Sequence, residues 1–222
     1  MISEITTRKY PKTPHLPWSE CVSREDKRLG SVVHFLNNPI IITEKMDGSN
    51  VCLTSSLDVF ARSHSGAPGH PSFDYLKAIH ASLRSKIDSR LSIFAEWCFA
   101  VHSIEYEGLD SYLNIFGVLE KNKTWWSWWE VEASAKYLGI PTVPVIGITV
   151  ITSQEELIKE TTPGIGVRSV YGGDTEGRVV RLAGEFNNDD FMLCVAKWVR
   201  KNHVQTDEHW TQQEIKKQKV KK

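Results

Sequence analysis

Long apolar runs are missing from this sequence. No stretch of its 222 residues stays uncharged and apolar for the ~20 positions that a membrane helix needs, and no signal-peptide pattern is found. The expected location is therefore the cytoplasm, with no membrane contact. Cysteine is scarce. Cys21, Cys52, Cys98 and Cys194 are scattered and form no Cys-x-x-Cys pair, which argues against a zinc site or a disulfide frame and for reduced, partly buried thiols. An excess of one charge is lacking as well. The 27 Lys and Arg balance the 27 Asp and Glu, so no global field draws in a polyanion and any nucleic-acid contact must come from local basic patches. There is no repeat period, no clear linker and no βαβ rhythm.

What remains is 41% hydrophobic and 24% charged, enough apolar material for one sizeable core. Residues 1–222 are read as a single domain of class α+β, with mostly antiparallel sheets and flanking helices. Residues 10–19, with Pro11, Pro14 and Pro17, are expected to be extended and irregular. Ser72 is placed as the cap of a helix in which Leu76, Ile79, Leu83 and Ile87 recur, and Thr124 as the cap of a tryptophan-rich helix that Gly139 ends. Residues 91–99 and 112–119 read as buried strands, and residues 191–199 as a strand carrying Lys197. His64 and His70 lie in a loop. The lysine-rich end, residues 211–222, is either a frayed tail or a contact to a phosphate backbone.

The chain is organised around Ile41-Ile42-Thr43-Glu44-Lys45-Met46-Asp47-Gly48-Ser49-Asn50. An apolar strand delivers Lys45 to an Asp-Gly turn, after which residues 51–54 return. Lys45 is either a solvated hairpin lysine or a nucleophile. As a nucleophile it must lose a proton that an ordinary lysine holds up to a pKa of about 10.4. Bringing that to about 7 takes some 4–5 kcal/mol at about 1.36 kcal/mol per unit. One cation about 4 Å away supplies about 4 kcal/mol at an effective dielectric near 20. A second positive group or a metal beside Lys45 is thus the requirement.

Further along come Arg62, a lone acid in an apolar strand (Glu96), Phe116, the pair Glu176-Gly177, and Lys197. In that order, with Lys45-x-Asp47-Gly48, they resemble the nucleotidyltransferase motifs of ATP-dependent polynucleotide ligases and mRNA capping enzymes. Glu44 directly before the lysine and Asn50 after the turn resemble the RNA ligase family, its nick-sealing type in particular. The stretch from Lys197 to Trp210 is similar to small RNA ligases of bacteria and their viruses. The resemblance implies an adenylyltransferase domain that joins 3′-hydroxyl and 5′-phosphate RNA ends, in RNA or RNA/DNA hybrids, through lysyl-AMP and AMP-capped intermediates. It implies ATP and Mg²⁺ or Mn²⁺ as cofactors, a role in RNA repair, and action as a monomer.

By the same resemblance Lys45 takes the adenylate, Glu44 reads the adenine edge, and Asp47, Gly48 and Asn50 shape the nucleotide site. Arg62 contacts phosphate or ribose, Glu96 the ribose hydroxyls, and Phe116 stacks on adenine. Glu176 holds the metal, and Lys197 binds the α-phosphate and lowers the pKa of Lys45. The sequence departs from the family at two places. Val199 stands where a second lysine is usual, leaving Arg200 or Lys201 to compensate, and Gly117 replaces an acid after Phe116. No C-terminal RNA-binding or OB domain is expected. The competing readings are a minimal ATP-dependent DNA ligase, a capping guanylyltransferase, and a binding module of this fold with weakened catalysis.

Overall fold

Strand β1 (Pro39–Lys45) is buried on both faces, and that decides the architecture. Ile40 and Ile42 enter one apolar cluster while Ile41 enters another, so covering is needed on either side. The computed structural model describes residues 9–61, 68–201, 203 and 215–221. Arg62 and His64 lie outside the described residues.

After β1 come β2 (Ser49–Leu53), β3 (Phe60–Ala61), helix α1 (Asp74–Leu83), β4 (Leu91–Trp97), β5 (Leu113–Glu120) and β6 (Thr124–Trp125). Then follow α2 (Trp128–Leu138), β7 (Val145–Val150), α3 (Gln154–Thr161), β8 (Gly177–Leu182), β9 (Phe186–Asn187), the single turn α4 (Phe191–Cys194) and β10 (Val195–Val199). They form two sheets, of order β10-β8-β1-β7 and β3-β2-β4-β5-β6-β9, and every pairing between named strands is antiparallel. The α+β expectation holds. No helix among the described residues is long and apolar enough to cross a membrane.

Several local expectations need correction. The Asp-Gly turn does not close a hairpin, because β1 and β2 belong to different sheets. Gly48 is required by crowding: a Cβ there would lie 2.7 Å from the Trp97 carbonyl oxygen and 2.9 Å from Cys98 Sγ. The cap of α2 is Ser127, which with Glu130 forms a capping box, because Trp125 is taken into β6 by pairing with Phe186. Helix α1 has no side-chain cap. Ser72 lies in the preceding 3₁₀ turn, where the His70 ring accepts its N–H. Residues 191–199 are a helical turn followed by β10, not one strand.

The helices cover the outer faces. Leu76 of α1 and Trp128, Val131, Ala135 and Leu138 of α2 pack in one cluster with Ile93, Trp97 and Ile115. Leu157 of α3 joins Ile40, Ile42, Val180, Ala196 and Trp198 beneath the other sheet. At roughly 25 cal/mol per Å² of apolar surface, each fully buried Leu, Ile or Val among them contributes about 1.5–3 kcal/mol. A third cluster lies between the two sheets and includes Cys52, Phe94, Trp125, Phe191 and Val195. The four cysteines are free thiols, three of them buried.

The lysine-rich end is partly docked. Residues 215–221 run beside residues 99–109, with Gln218 buried: its amide accepts the Tyr106 N–H at 2.8 Å and donates to the Ile104 carbonyl at 2.6 Å. Lys216 pairs with Glu105 and Lys221 with Asp110, so these cations already have acidic partners. The expectation of a frayed tail therefore does not hold over residues 215–221.

Candidate active site

Period-two alternation and strand register carry the motif residues to one place. Lys45 lies opposite Gly177, Thr43 opposite Val179, and Lys197 opposite Val179 from the other side, so Lys45 and Lys197 share a sheet face. On the second sheet Asn50 lies opposite Glu96. Between the sheets is a cleft of about 810 Å³, within the range of small-ligand sites. Lys45, Asp47, Asn50, Glu96, Glu176 and Lys197 all line it, as do Gly48 and Phe116.

Close backbone packing fixes the Glu176 corner. A Cβ on Gly177 would overlap the Trp198 carbonyl oxygen, so only glycine lets β8 approach β10 here. The Arg200 N–H donates to the Glu176 carbonyl at 3.1 Å. Lys45 Nζ then meets Glu176 Oε1 at 2.6 Å.

Asp47 anchors the connection between the sheets. Its Oδ2 accepts the Ser103 N–H at 2.8 Å, the Ser103 hydroxyl at 2.8 Å and the Ile104 N–H at 2.7 Å, while its own N–H donates to the Tyr106 hydroxyl at 2.8 Å. The Gly48 N–H donates to Glu96 Oε1 at 3.2 Å. The strap of residues 215–221 holds the same 104–106 backbone, so it supports the turn after Lys45 indirectly.

The electrostatics set the resting state of Lys45. Burial opposes the Lys45 charge, but Glu176, Glu96 and Asp47 outweigh it, and the ammonium keeps its proton above the usual lysine range. Lys197 Nζ lies 3.7 Å from Asp26 Oδ1. Without nucleotide, Lys45 is thus an ion-paired cation rather than a poised amine. Glu96 is pushed up to about 8, first by burial and then by Glu176 and Asp47, with Lys45 pulling the other way.

Glu44 shows the other side of the alternation. It pairs cross-strand with Arg178 on the sheet face opposite Lys45, and its Oε2 accepts the Val170 N–H at 2.9 Å. Burial pushes its pKa up, against hydrogen bonds from Ser169 and Val170. Val199 is buried, Arg200 reaches Asp174 at 3.2 Å, and Lys201 is exposed. Phe116 meets the Tyr10 ring edge-on with centroids 4.9 Å apart, so the extended N-terminal segment forms the aromatic end of the cleft.

Three contributors escaped the sequence reading. Tyr10 and Asp26 come from a stretch with no motif, and their roles follow from contacts to residues about 100 and 170 positions away. His203 stands six residues beyond Lys197, yet its Nε2 lies 3.3 Å from Glu176 Oε1 and 3.9 Å from Asp47 Oδ1. Ligand atoms of Asp47, Glu176 and His203 all fall within 4.8 Å of one another, a donor set that fits a divalent cation.

Comparison with solved structures shows the same fold. An archaeal ATP-dependent RNA ligase superposes with a TM-score of 0.55 at 15% identity, over 87% of this chain and 48% of that one. The RNA ligase of Naegleria gruberi with pyrophosphate gives 0.56 at 16% identity, over 86% and 57%. A lysine-to-alanine variant of that ligase with ATP and Mn gives 0.53 at 15%, over 86% and 58%. The chain thus spans about half the length of these structures. No curated protein matches it. The profile described as RNA ligase matches residues 38–199, which hold both sheets and every motif residue from Glu44 to Lys197, and on that match the chain belongs to the RNA ligase family.

Proposed function

We propose that this protein is an ATP-dependent RNA ligase that joins a 3′-hydroxyl to a 5′-phosphate through its nucleotidyltransferase domain. The observation that carries this reading is Lys45 at the end of β1, held inside the cleft with Nζ 2.6 Å from Glu176. The Lys45 amine attacks the α-phosphorus of ATP. A P–N bond forms, the P–O bond to pyrophosphate breaks, and the amine's proton is released. The Glu176 carboxylate is the main reason Lys45 keeps that proton, whereas burial pulls the other way. Relieving Lys45 of this partner therefore lowers its pKa and favours the neutral, nucleophilic amine.

Glu176 and Asp47 would hold a Mg²⁺ or Mn²⁺ ion, which supplies neutralising charge at the phosphates. Lys197 faces the same cleft and would exchange Asp26 for the α-phosphate. Phe116 offers its face to adenine, and Asn50 and Glu96, opposite each other, offer polar groups to the ribose. Glu44, on the opposite face of β1, supports the site from behind through the Val170 backbone.

Two steps follow adenylation. An RNA 5′-phosphate oxygen attacks the adenylate phosphorus, and the P–N bond breaks as the lysine nitrogen takes up a proton. A 3′-hydroxyl then attacks the activated phosphate, AMP leaves, and a phosphodiester remains. Matched nicked duplexes carrying ribose or deoxyribose at the 3′-hydroxyl test the assignment. Sealing of the ribose nick that is lost in Lys45→Ala supports an RNA ligase, and equal sealing of both nicks removes the RNA preference.

A further inference from the structure

The cleft holds a nitrogen donor that the ligase chemistry above does not use. His203 is anchored by its backbone: its N–H donates to the Arg200 carbonyl at 3.4 Å, and its carbonyl receives the Cys21 thiol at 3.9 Å. Its side chain is only 9% exposed, beside Asp47 at 10% and Glu176 at 8%. The imidazole Nδ1 is buried with no hydrogen-bond partner among the described residues, so within them the ring is oriented by what its Nε2 faces. That nitrogen faces two carboxylate oxygens, and the Ser103 hydroxyl lies 3.5 Å away.

The spacing suits a shared ion. Ligand atoms about 2.2 Å from one ion are about 3.1 Å apart when adjacent and about 4.4 Å apart when opposite. The separations of 3.3 Å and 3.9 Å fall inside that interval. Asp47 is already divided for the purpose: Oδ2 is saturated by three donors, and Oδ1 is the atom turned to His203. The geometry points to His203 as a direct ligand of the divalent ion, together with Asp47 and Glu176, in a site that takes Mn²⁺ or Co²⁺ ahead of Mg²⁺. Imidazole binds first-row transition ions well and Mg²⁺ poorly, whereas carboxylates accept both. This inference rests on the ligase reading for its metal, and it adds the nitrogen ligand and the selectivity.

The test uses Mn²⁺ alone with the whole protein, without nucleotide. Loss of the free-ion EPR signal gives the affinity, and electron spin-echo modulation reports nitrogen coupled to the bound ion. The expected result is imidazole nitrogen coupling in the native protein that disappears in His203→Gln, with Mn²⁺ affinity lowered about tenfold or more. Mg²⁺, measured by competition, is expected to lose much less. Bound Mn²⁺ without nitrogen coupling in the native protein, coupling that survives His203→Gln, or no Mn²⁺ binding each overturns the assignment. The native spectrum decides even if the variant folds poorly. Labelling of Lys45 by ATP, measured alongside, separates the two readings: label without nitrogen coupling removes the His203 ligand and leaves the ligase.

Discussion

Replacing Gly177 with alanine adds one methyl group and is expected to open the active-site sheet. Strand propensity favours the change by about 0.5–1 kcal/mol, since glycine loses the most freedom on folding. Against that, the new Cβ would overlap the Trp198 carbonyl, with Val199 Cα also within 3.1 Å. Both are backbone, so no side-chain rotation relieves the contact. Overpacking of this kind costs about 1–3 kcal/mol. Separating β8 from β10 at the Val199–Gly177 pair also forfeits ladder bonds worth about 1 kcal/mol each. The clash wins, and the net destabilisation is about 2–4 kcal/mol.

Gly147→Ala is the control. It lies in edge strand β7 with nothing within 4 Å of its added Cβ, so it is expected to be neutral or slightly stabilising. Urea unfolding of both variants decides. With a slope of about 2–3 kcal/mol per molar, Gly177→Ala lowers the midpoint by about 1 M. Equal midpoints for the two variants would refute the argument that close strand approach fixes the Glu176 corner.

Two further outcomes follow from contacts remote from the nucleophile. Burial and the neighbouring Lys197 lower the His15 pKa to about 4, against Asp26, which raises it. Between pH 6.5 and 4 the unfolded chain therefore binds a proton that the folded chain does not. Stability from this residue is complete above pH 6.5 and falls with pH, by about 2 kcal/mol at pH 5; urea midpoints of native protein and His15→Asn at pH 7 and 5 should show the fall only in the native protein. Gln218→Ala leaves the Tyr106 N–H and the Ile104 carbonyl without their partner, at a cost of about 1–3 kcal/mol, and is expected to slow adenylation through Asp47. Unchanged adenylation in a destabilised Gln218→Ala would show that the strap serves stability alone.

Much of the site was legible because strand ends carry it. Lys45, Asn50, Glu96, Phe116, Glu176 and Lys197 each lie in or beside a strand of alternating or apolar pattern, and register brings such residues together without information from loops. What could not be read comes from pairings between distant segments. Thr124 is a plausible helix cap until β6 pairs with β9, and the end of α4 is plausible strand until the turn is seen. Asp47 looks like a turn residue by sequence, but three donors from residues 103 and 104 make it an anchor. The surroundings of Lys45 and Lys197 also come from distant segments: Asp26, 171 positions earlier, lies beside Lys197, and the carboxylates of Glu176, Glu96 and Asp47 act on Lys45.

The central claim is that Lys45 carries an adenylate. The direct measurement is incubation with α-labelled ATP and Mn²⁺ or Mg²⁺, followed by acid treatment and mapping of the labelled peptide. An acid-labile label on the peptide containing Lys45, absent in Lys45→Ala and not formed from GTP, is the predicted result. No label from ATP, or a label that persists in Lys45→Ala, would contradict it.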